Sequence, residues 1–281
     1  MYRESRDFSL IYETSVASNS VKSAERVMSV LETLARHARP VPTMVIARQC
    51  AIPKSSAHHL LNVMRERDFV TYYENERAWG LGVSALEVGS AYLRRTPLQR
   101  LGRPILETVA SETGETTHLA ILHGADVVYL DKEQPPGEAP RLVTDVGMRL
   151  PAHLTAVGRA ILAQLSANQI RSIFDGVPLV KRTDRGPSGI EDMLADLSEV
   201  RQSGFALDDQ MVTPGIRCLA APVFWSDGSP AGAIGVAFLA AQHSGAGVSG
   251  LAETVRGASA RLSALLGWRS VDAATEAGAR V

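Results

Sequence analysis

The sequence predicts an α+β protein of two folded domains: a winged helix-turn-helix, then a larger domain whose antiparallel sheet is flanked by helices. Three observations carry this reading. A chain of 281 residues is too long for one small domain and about right for two. The first 82 residues spell helix, helix, short turn, helix, hairpin, the element order of a winged helix-turn-helix. Beyond residue 100, two strand pairs joined by short turns alternate with helical segments, which favours an antiparallel sheet with helices over it.

Composition narrows the class. Hydrophobic residues make up 45% of the chain and charged residues 21%, values that argue against wholesale disorder or a coiled coil. No run of about 18 apolar residues suggests a membrane span. Residues 1–20 carry Arg3, Glu4, Arg6 and Asp7 and lack the apolar core of a secretion signal, so a cytoplasmic protein with no membrane partner is expected. Cys50 and Cys218 stand far apart and form neither a disulfide framework nor a metal-binding pair. Charge is uneven. Residues 20–70 hold eight Lys/Arg against four Asp/Glu, and residues 100–281 hold sixteen against twenty. A basic segment ahead of an acidic body suits a small nucleic-acid-binding domain joined to something else.

Residues 1–20 read as a polar, disordered tail. From Val21 the positions Val21, Ala24, Val27, Met28, Leu31, Leu34 and Ala35 recur at three and four, a helical stripe that Pro40 and Pro42 stop. Thr43 is expected to cap a second short helix containing Met44, Val45, Ala47 and Cys50. Pro53 fits the first turn of a third helix reaching about Glu66, with Ala57, Leu60, Leu61 and Met64 inward. Phe69–Tyr73 reads as a strand, Glu74–Arg77 as a turn and Ala78–Leu81 as the returning strand. Val83–Arg95 is helical, and Pro97 interrupts before a helix over Leu98–Thr113. Strands are expected at Thr116–Leu122, Asp126–Asp131, Arg141–Val146, Phe205–Leu207, Cys218–Trp225 and Ala231–Leu239, and the Asp227-Gly228 turn marks a hairpin. Helices are expected at Thr155–Leu165, Asn168–Phe174, Gly189–Ser203 and Val248–Leu266. The domains are therefore a winged helix-turn-helix at 21–82, a linker helix at 83–99 and an α+β domain at 100–270, with a loose tail at 271–281.

With the apolar face of the third helix inward, Ser55, Ser56, His59 and Asn62 point outward, joined by His58. In a helix-turn-helix the N-terminal residues of the second motif helix meet base edges. Hydroxyls and amides there bond bases or phosphates, and Lys54 suits a phosphate contact. Tyr72 and Trp79 in the hairpin read as packing residues.

These motifs resemble the IclR family of bacterial transcription regulators. The likeness runs through Val21–Arg26, Ala51–Leu61, Trp79–Gly82, Gly147–His153, Ala156–Ala160, Gly204–Gln210 and Pro214–Val223. It implies a linker helix leading to a GAF-like effector domain, and a homodimer or dimer of dimers on palindromic double-stranded operator DNA. The effector is expected to be a small organic acid or related metabolite, with repression as one output and no cofactor, metal or catalytic residue. Two positions depart from the family pattern: His59, where members usually carry arginine, and Gln210, where an acidic residue is frequent.

The resemblance also implies an effector pocket lined by Leu142, Ala156, Val157, Asp208, Ile216, Cys218, Gly235 and Ala237. Some relatives that bind small carboxylates have serines at the last two positions. Without those hydroxyls a buried carboxylate lacks donors, so a bulkier, less polar effector, with an aromatic one as a candidate, is favoured over a small keto acid. Arg149 or His153 remains a candidate cation. Equally, Gly235 and Ala237 serve close packing in a central strand.

Enzymatic readings are weaker. Gly245-Ala246-Gly247-Val248-Ser249-Gly250 has dinucleotide-loop spacing, but no parallel strand follows it, so a flexible Gly/Ser loop is expected. Cys218 with His118 or His153 and Asp208 suggests a thiol nucleophile, yet it sits in an apolar strand. His118, His123, His153, Asp208 and Cys218 lack helical ligand-pair spacing. The alternative from another class is a small-molecule enzyme or sensor fused to a protein-binding winged helix, which would not bind duplex DNA with steep salt dependence.

Overall fold

The computed structural model describes residues 21–135, 142, 144–243 and 245–269. The tails expected at 1–20 and 271–281 lie outside the described residues. The chain divides into two compact units, the first ending at Tyr92 and the second beginning at Leu93.

The first unit builds α1 (Lys22–Ala35), β1 (Val41–Pro42), α2 (Thr43–Gln49), α3 (Lys54–Glu66), β2 (Val70–Tyr73) and β3 (Ala78–Leu81). Their apolar stripes meet in one core of Val30, Leu34, Ile46, Ala57, Leu61, Met64, Val70 and Trp79. The hairpin expected from sequence gains a third strand, in the order β1-β3-β2, because Val41 pairs with Trp79 and Pro42 with Ala78. Thr43 is not the cap of α2. Pro42 holds that position without a side-chain bond, and the Thr43 hydroxyl instead accepts the Trp79 indole N–H at 2.9 Å. Tyr72 packs on the same indole, ring centroids 4.8 Å apart. Phe69 stays out of the strand, its amide closing the end of α3 on the Met64 carbonyl at 3.0 Å. Gly82 is required where β3 ends: an added Cβ would lie 2.1 Å from the Asp68 carbonyl oxygen.

Helix α4 (Val83–Arg95) follows and buries none of its residues. It contains the division between the two units.

The second unit continues with α5 (Pro97–Thr113), β4 (Thr116–His123), β5 (Asp126–Glu133), β6 (Arg149–Pro151), α6 (Ala156–Leu162), α7 (Ala167–Ile173), α8 (Ile190–Ser203), β7 (Ala206–Asp209), β8 (Ile216–Phe224), β9 (Pro230–Leu239) and α9 (Ala246–Leu265). Its six-stranded sheet has the order β6-β5-β4-β9-β8-β7, antiparallel throughout. The sheet is covered on both faces, and β9 shows why. Ile234, Val236 and Phe238 face the core made with α5 and α9, while the smaller Ala233, Gly235 and Ala237 alternate with them, as a strand's period of two requires. The opposite core gathers Ala120, Tyr129, Val157, Ile161, Met193 and Leu197 from the sheet, α6 and α8.

Three expectations need correction. The strand expected at 141–146 lies elsewhere: Leu142 and Thr144–Val146 are not strand, Arg141 and Val143 lie outside the described residues, and β6 starts at Arg149. Thr144 is instead held to the sheet by His118 and Lys132, and edge pairing begins after Gly147, whose φ is +82°. Phe205 precedes its strand rather than joining it. The Gly-rich segment after residue 245 is the first turns of α9, not a flexible loop. Only Gly245, at φ +46°, has a conformation favouring glycine.

Candidate functional site

Two features of this chain are candidates for functional chemistry, one in each unit. On α3, Ala57, Leu61 and Met64 are buried, and this fixes what the other face presents. Lys54, Ser55, His58, His59 and Asn62 are exposed and Ser56 is half-buried. Ser55, His59 and Asn62 fall on one line at helical spacing, opposite the buried stripe. The tight turn ahead of α3 is made by Ala51 at φ +51°, with the Ile52 amide closing on the Ala47 carbonyl at 2.9 Å. Arg65, further along α3, lies 6.0 Å from the Trp79 ring centroid. The helix therefore presents hydroxyls, imidazoles, an amide and a lysine on a rigid, packed support.

In the second unit a cavity opens between the sheet and the start of α6. Leu142, Ala156, Val157, Asp208, Ile216, Cys218, Gly235 and Ala237 all line it. The register brings these positions together: Asp208 pairs with Cys218, and Cys218 with Ala237. In the neighbouring row His118 pairs with Gly235. The expectation that Gly235 permits close packing also holds, since an added Cβ would lie 3.0 Å from Val157 Cγ1 on α6.

Sequence reasoning did not assign His118, Tyr129, Thr144 and Thr155 to this wall, and all four line it. His118 was legible as an inward position of an alternating strand; Thr144 was not, because the segment carrying it was read as strand. His118 Nε2 lies 2.8 Å from the Thr144 hydroxyl. The Lys132 ammonium is turned away onto the Thr144 carbonyl at 2.8 Å.

Burial sets the protonation of these groups. It lowers His118 to about 3, helped by Lys132, so the imidazole is neutral. Burial also raises Tyr129 and Cys218, which keeps phenol and thiol protonated and leaves no thiolate nucleophile. Asp208 is 1% exposed. Burial lifts its carboxyl to about 7, against the opposing pull of the Met211 amide and the Arg159 charge. Its Oδ1 accepts that amide at 2.6 Å. Arg159 itself is spent on the Leu207 carbonyl and Asp196.

The neighbouring Asp209 faces outward and pairs with Arg185 and Arg217. Gln210 adopts φ +62° and its Oε1 accepts the Gly215 amide at 3.1 Å, tying the β7–β8 turn. Arg149 and His153 do not line the cavity. Arg149 donates to His123, and His153 bonds the Val180 carbonyl. His118, Asp208 and Cys218 thus share the cavity, whereas His123 and His153 are held elsewhere.

Comparisons with known proteins agree across the chain. Residues 90–264 match the family described as bacterial transcriptional regulator IclR C-terminal, and residues 23–73 match the IclR helix-turn-helix domain. The transcriptional repressor IclR of Escherichia coli K12 is 31% identical over 225 residues, covering 79% of this chain and 82% of that protein. The regulator BhcR of Paracoccus denitrificans is 30% identical over 246 residues, covering 88% of both. Among solved structures, an IclR regulator from Alicyclobacillus acidocaldarius superposes with TM-score 0.78 at 26% identity, covering 88% of this chain and all (100%) of that one. An IclR homolog from Microbacterium hydrocarbonoxydans, complexed with 4-hydroxybenzoate, shares the fold with TM-score 0.75 at 23% identity, covering 87% of this chain and 98% of that one.

Proposed function

The chain belongs to the IclR family of bacterial transcriptional regulators, not to an enzyme family, and from that premise we propose how it works. The first unit binds palindromic operator DNA through Lys54, Ser55, Ser56, His58, His59 and Asn62. A small organic acid or related metabolite with an apolar, aromatic body occupies the cavity of the second unit and changes operator affinity. The observation that carries this reading is that Leu142, Ala156, Val157, Asp208, Ile216, Cys218, Gly235 and Ala237 line one cavity, while the polar face of α3 stands exposed in the same chain.

Gly235 and Ala237 offer no hydroxyl to a small keto acid, and the relative bound to 4-hydroxybenzoate is consistent with an aromatic occupant. We place the DNA-binding domain at 21–82, the linker at 83–99 and the effector domain at 100–270. The protein would act in the cytoplasm as a homodimer or dimer of dimers. Apolar residues support self-association: Val83, Leu86 and Val88 of α4 are 57%, 69% and 62% exposed. A ligand that favours one arrangement of the dimer would shift operator affinity through α4, and couplings of about 1–3 kcal/mol are typical.

A mobility-shift titration on DNA upstream of the regulator's own gene tests this, run at two salt concentrations with a panel of aromatic and aliphatic acids. A saturable shift that weakens steeply with salt and responds to one compound is expected. Absence of any shift on native upstream DNA would transfer weight to the protein-binding winged helix.

A further inference from the structure

Residues 177–189, between α7 and α8, contain no helix or strand, yet they are tied to both rims of the cavity. On one side His153 Nε2 donates to the Val180 carbonyl at 2.9 Å. On the other, the Thr183 hydroxyl donates to the Gln210 carbonyl at 2.9 Å, with that of Met211 at 3.4 Å, and Arg185 pairs with Asp209. Gly186 marks the crossing between them. Its φ is +103°, and an added Cβ would lie 2.9 Å from Leu154 Cδ2 and 3.9 Å from Met211 Sδ. Leu154 leads into Thr155 and Ala156, and Met211 into Val212 and Thr213; all four of those line the cavity. Val212 and Thr213 are only half-buried, so this rim is the one nearer solvent.

The ties come from side chains. Among the described residues, 178–188 make no backbone–backbone hydrogen bond, so the segment opens without breaking a helix or the sheet, as the low-stability elements that move in proteins do. The Arg185 pair is partly exposed and adds little, which leaves the Thr183 hydroxyl as the principal polar tie to the rim formed by the β7–β8 turn. We propose that residues 177–189 are a strap that gates the cavity: closed, it clamps the two rims together, and released at Thr183 it lets them part to admit or discharge a ligand. The strap has this role only on the reading of the cavity as the effector site.

Cys218 lies in the cavity wall and reports on access to it. Cys50 is the other cysteine of the chain, so in full-length protein carrying Cys50→Ala the neutral aromatic disulfide dithiodipyridine labels Cys218 alone, and the released thiopyridone gives the rate. Thr183→Val removes the hydroxyl while keeping the side chain's shape, and should raise that rate about fivefold to tenfold. Gly186→Ala sets a Cβ against Leu154 and should raise it as well. Ser263→Ala acts on the opposite face of the sheet, where the hydroxyl bonds the Phe224 amide and the Ser259 carbonyl. It should lower the melting temperature and leave the rate unchanged. Thermal unfolding confirms that each variant folds.

Cys218 rates in Thr183→Val and Gly186→Ala equal to that of the Cys50→Ala parent would overturn the strap. So would a rate in Ser263→Ala raised as far as theirs, or labelling of the parent as fast as in urea. Each of these outcomes concerns access alone, and the effector reading would still stand or fall by the operator titration.

Discussion

Replacing Asp208 by asparagine should change how stability depends on pH, and the size of the effect follows from its burial. An ordinary aspartate carboxyl titrates at 3.8, and in the folded protein this one is held at about 7. The folded state therefore holds its proton more tightly than the unfolded chain. Stability is full below pH 3.8 and is lost as the pH rises towards 7, at about 1.36 kcal/mol per pH unit. Across that interval the loss is about 4 kcal/mol, of which about 2.7 kcal/mol falls between pH 5 and 7.

His118 acts in the opposite direction. Its ordinary 6.5 is lowered to about 3, so its contribution is present above pH 6.5 and lost as the pH falls. Between pH 3.8 and 6.5 the two slopes nearly cancel in the unaltered protein. Their neighbours Tyr129 and Cys218, raised by burial, and Asp209, held low against its burial by Arg217 and Arg185, do not titrate in that interval. Asp208→Asn should therefore uncover the histidine slope. Urea unfolding of the unaltered protein and the variant from pH 5 to 8, following the transition of the second unit, gives the difference directly. The variant should gain about 2.7 kcal/mol on the unaltered protein between pH 5 and 7. A stability difference that does not change with pH would refute the account of Asp208 as a carboxyl whose burial outweighs the pull of the Met211 amide and the Arg159 charge.

Other substitutions probe the remaining claims. Ser56→Ala combined with His59→Ala should lower specific operator affinity by at least about tenfold while ligand binding to the second unit stays intact; unchanged affinity in a mobility shift would remove α3 from the DNA interface. Gly82→Ala places a Cβ 2.1 Å from the Asp68 carbonyl and should destabilise the first unit by about 1–3 kcal/mol, the scale of forced overlap; an unaltered melting temperature would contradict that geometry. Gly158→Ala meets the Ala152 carbonyl at 2.3 Å and should loosen α6 from the cavity, read as weaker ligand binding together with lower stability of the second unit.

The elements that sequence made legible were those with a strong period and clear punctuation. The stripe of α1, the inward positions of α3 and the Asp-Gly hairpin between β8 and β9 each declare themselves through spacing and turn chemistry. What stayed hidden depended on contacts made at long range. Val41 and Pro42 become strand only because β3 offers them an edge, and a two-residue strand has no period to detect. Thr43 looks like a helix cap, but a buried tryptophan needs a hydrogen-bond acceptor more than the helix needs a cap.

The cavity was legible in part for the same reason. Positions on β7, β8, β9 and α6 were reachable through resemblance, whereas Thr144 enters the wall because His118 and Lys132 hold its segment over the sheet. The electrostatic character of the site, a lone buried carboxyl beside a neutral imidazole, required knowing which charged side chains turn away.

The claim at the centre of this account is that occupancy of the cavity controls DNA binding. The most direct measurement compares the unaltered protein with Ala237→Leu in an operator titration, with and without the compound that changes the mobility shift. The account predicts equal operator affinity for the two proteins without ligand, and a ligand response that only the unaltered protein shows. A variant that still responds like the unaltered protein would contradict it.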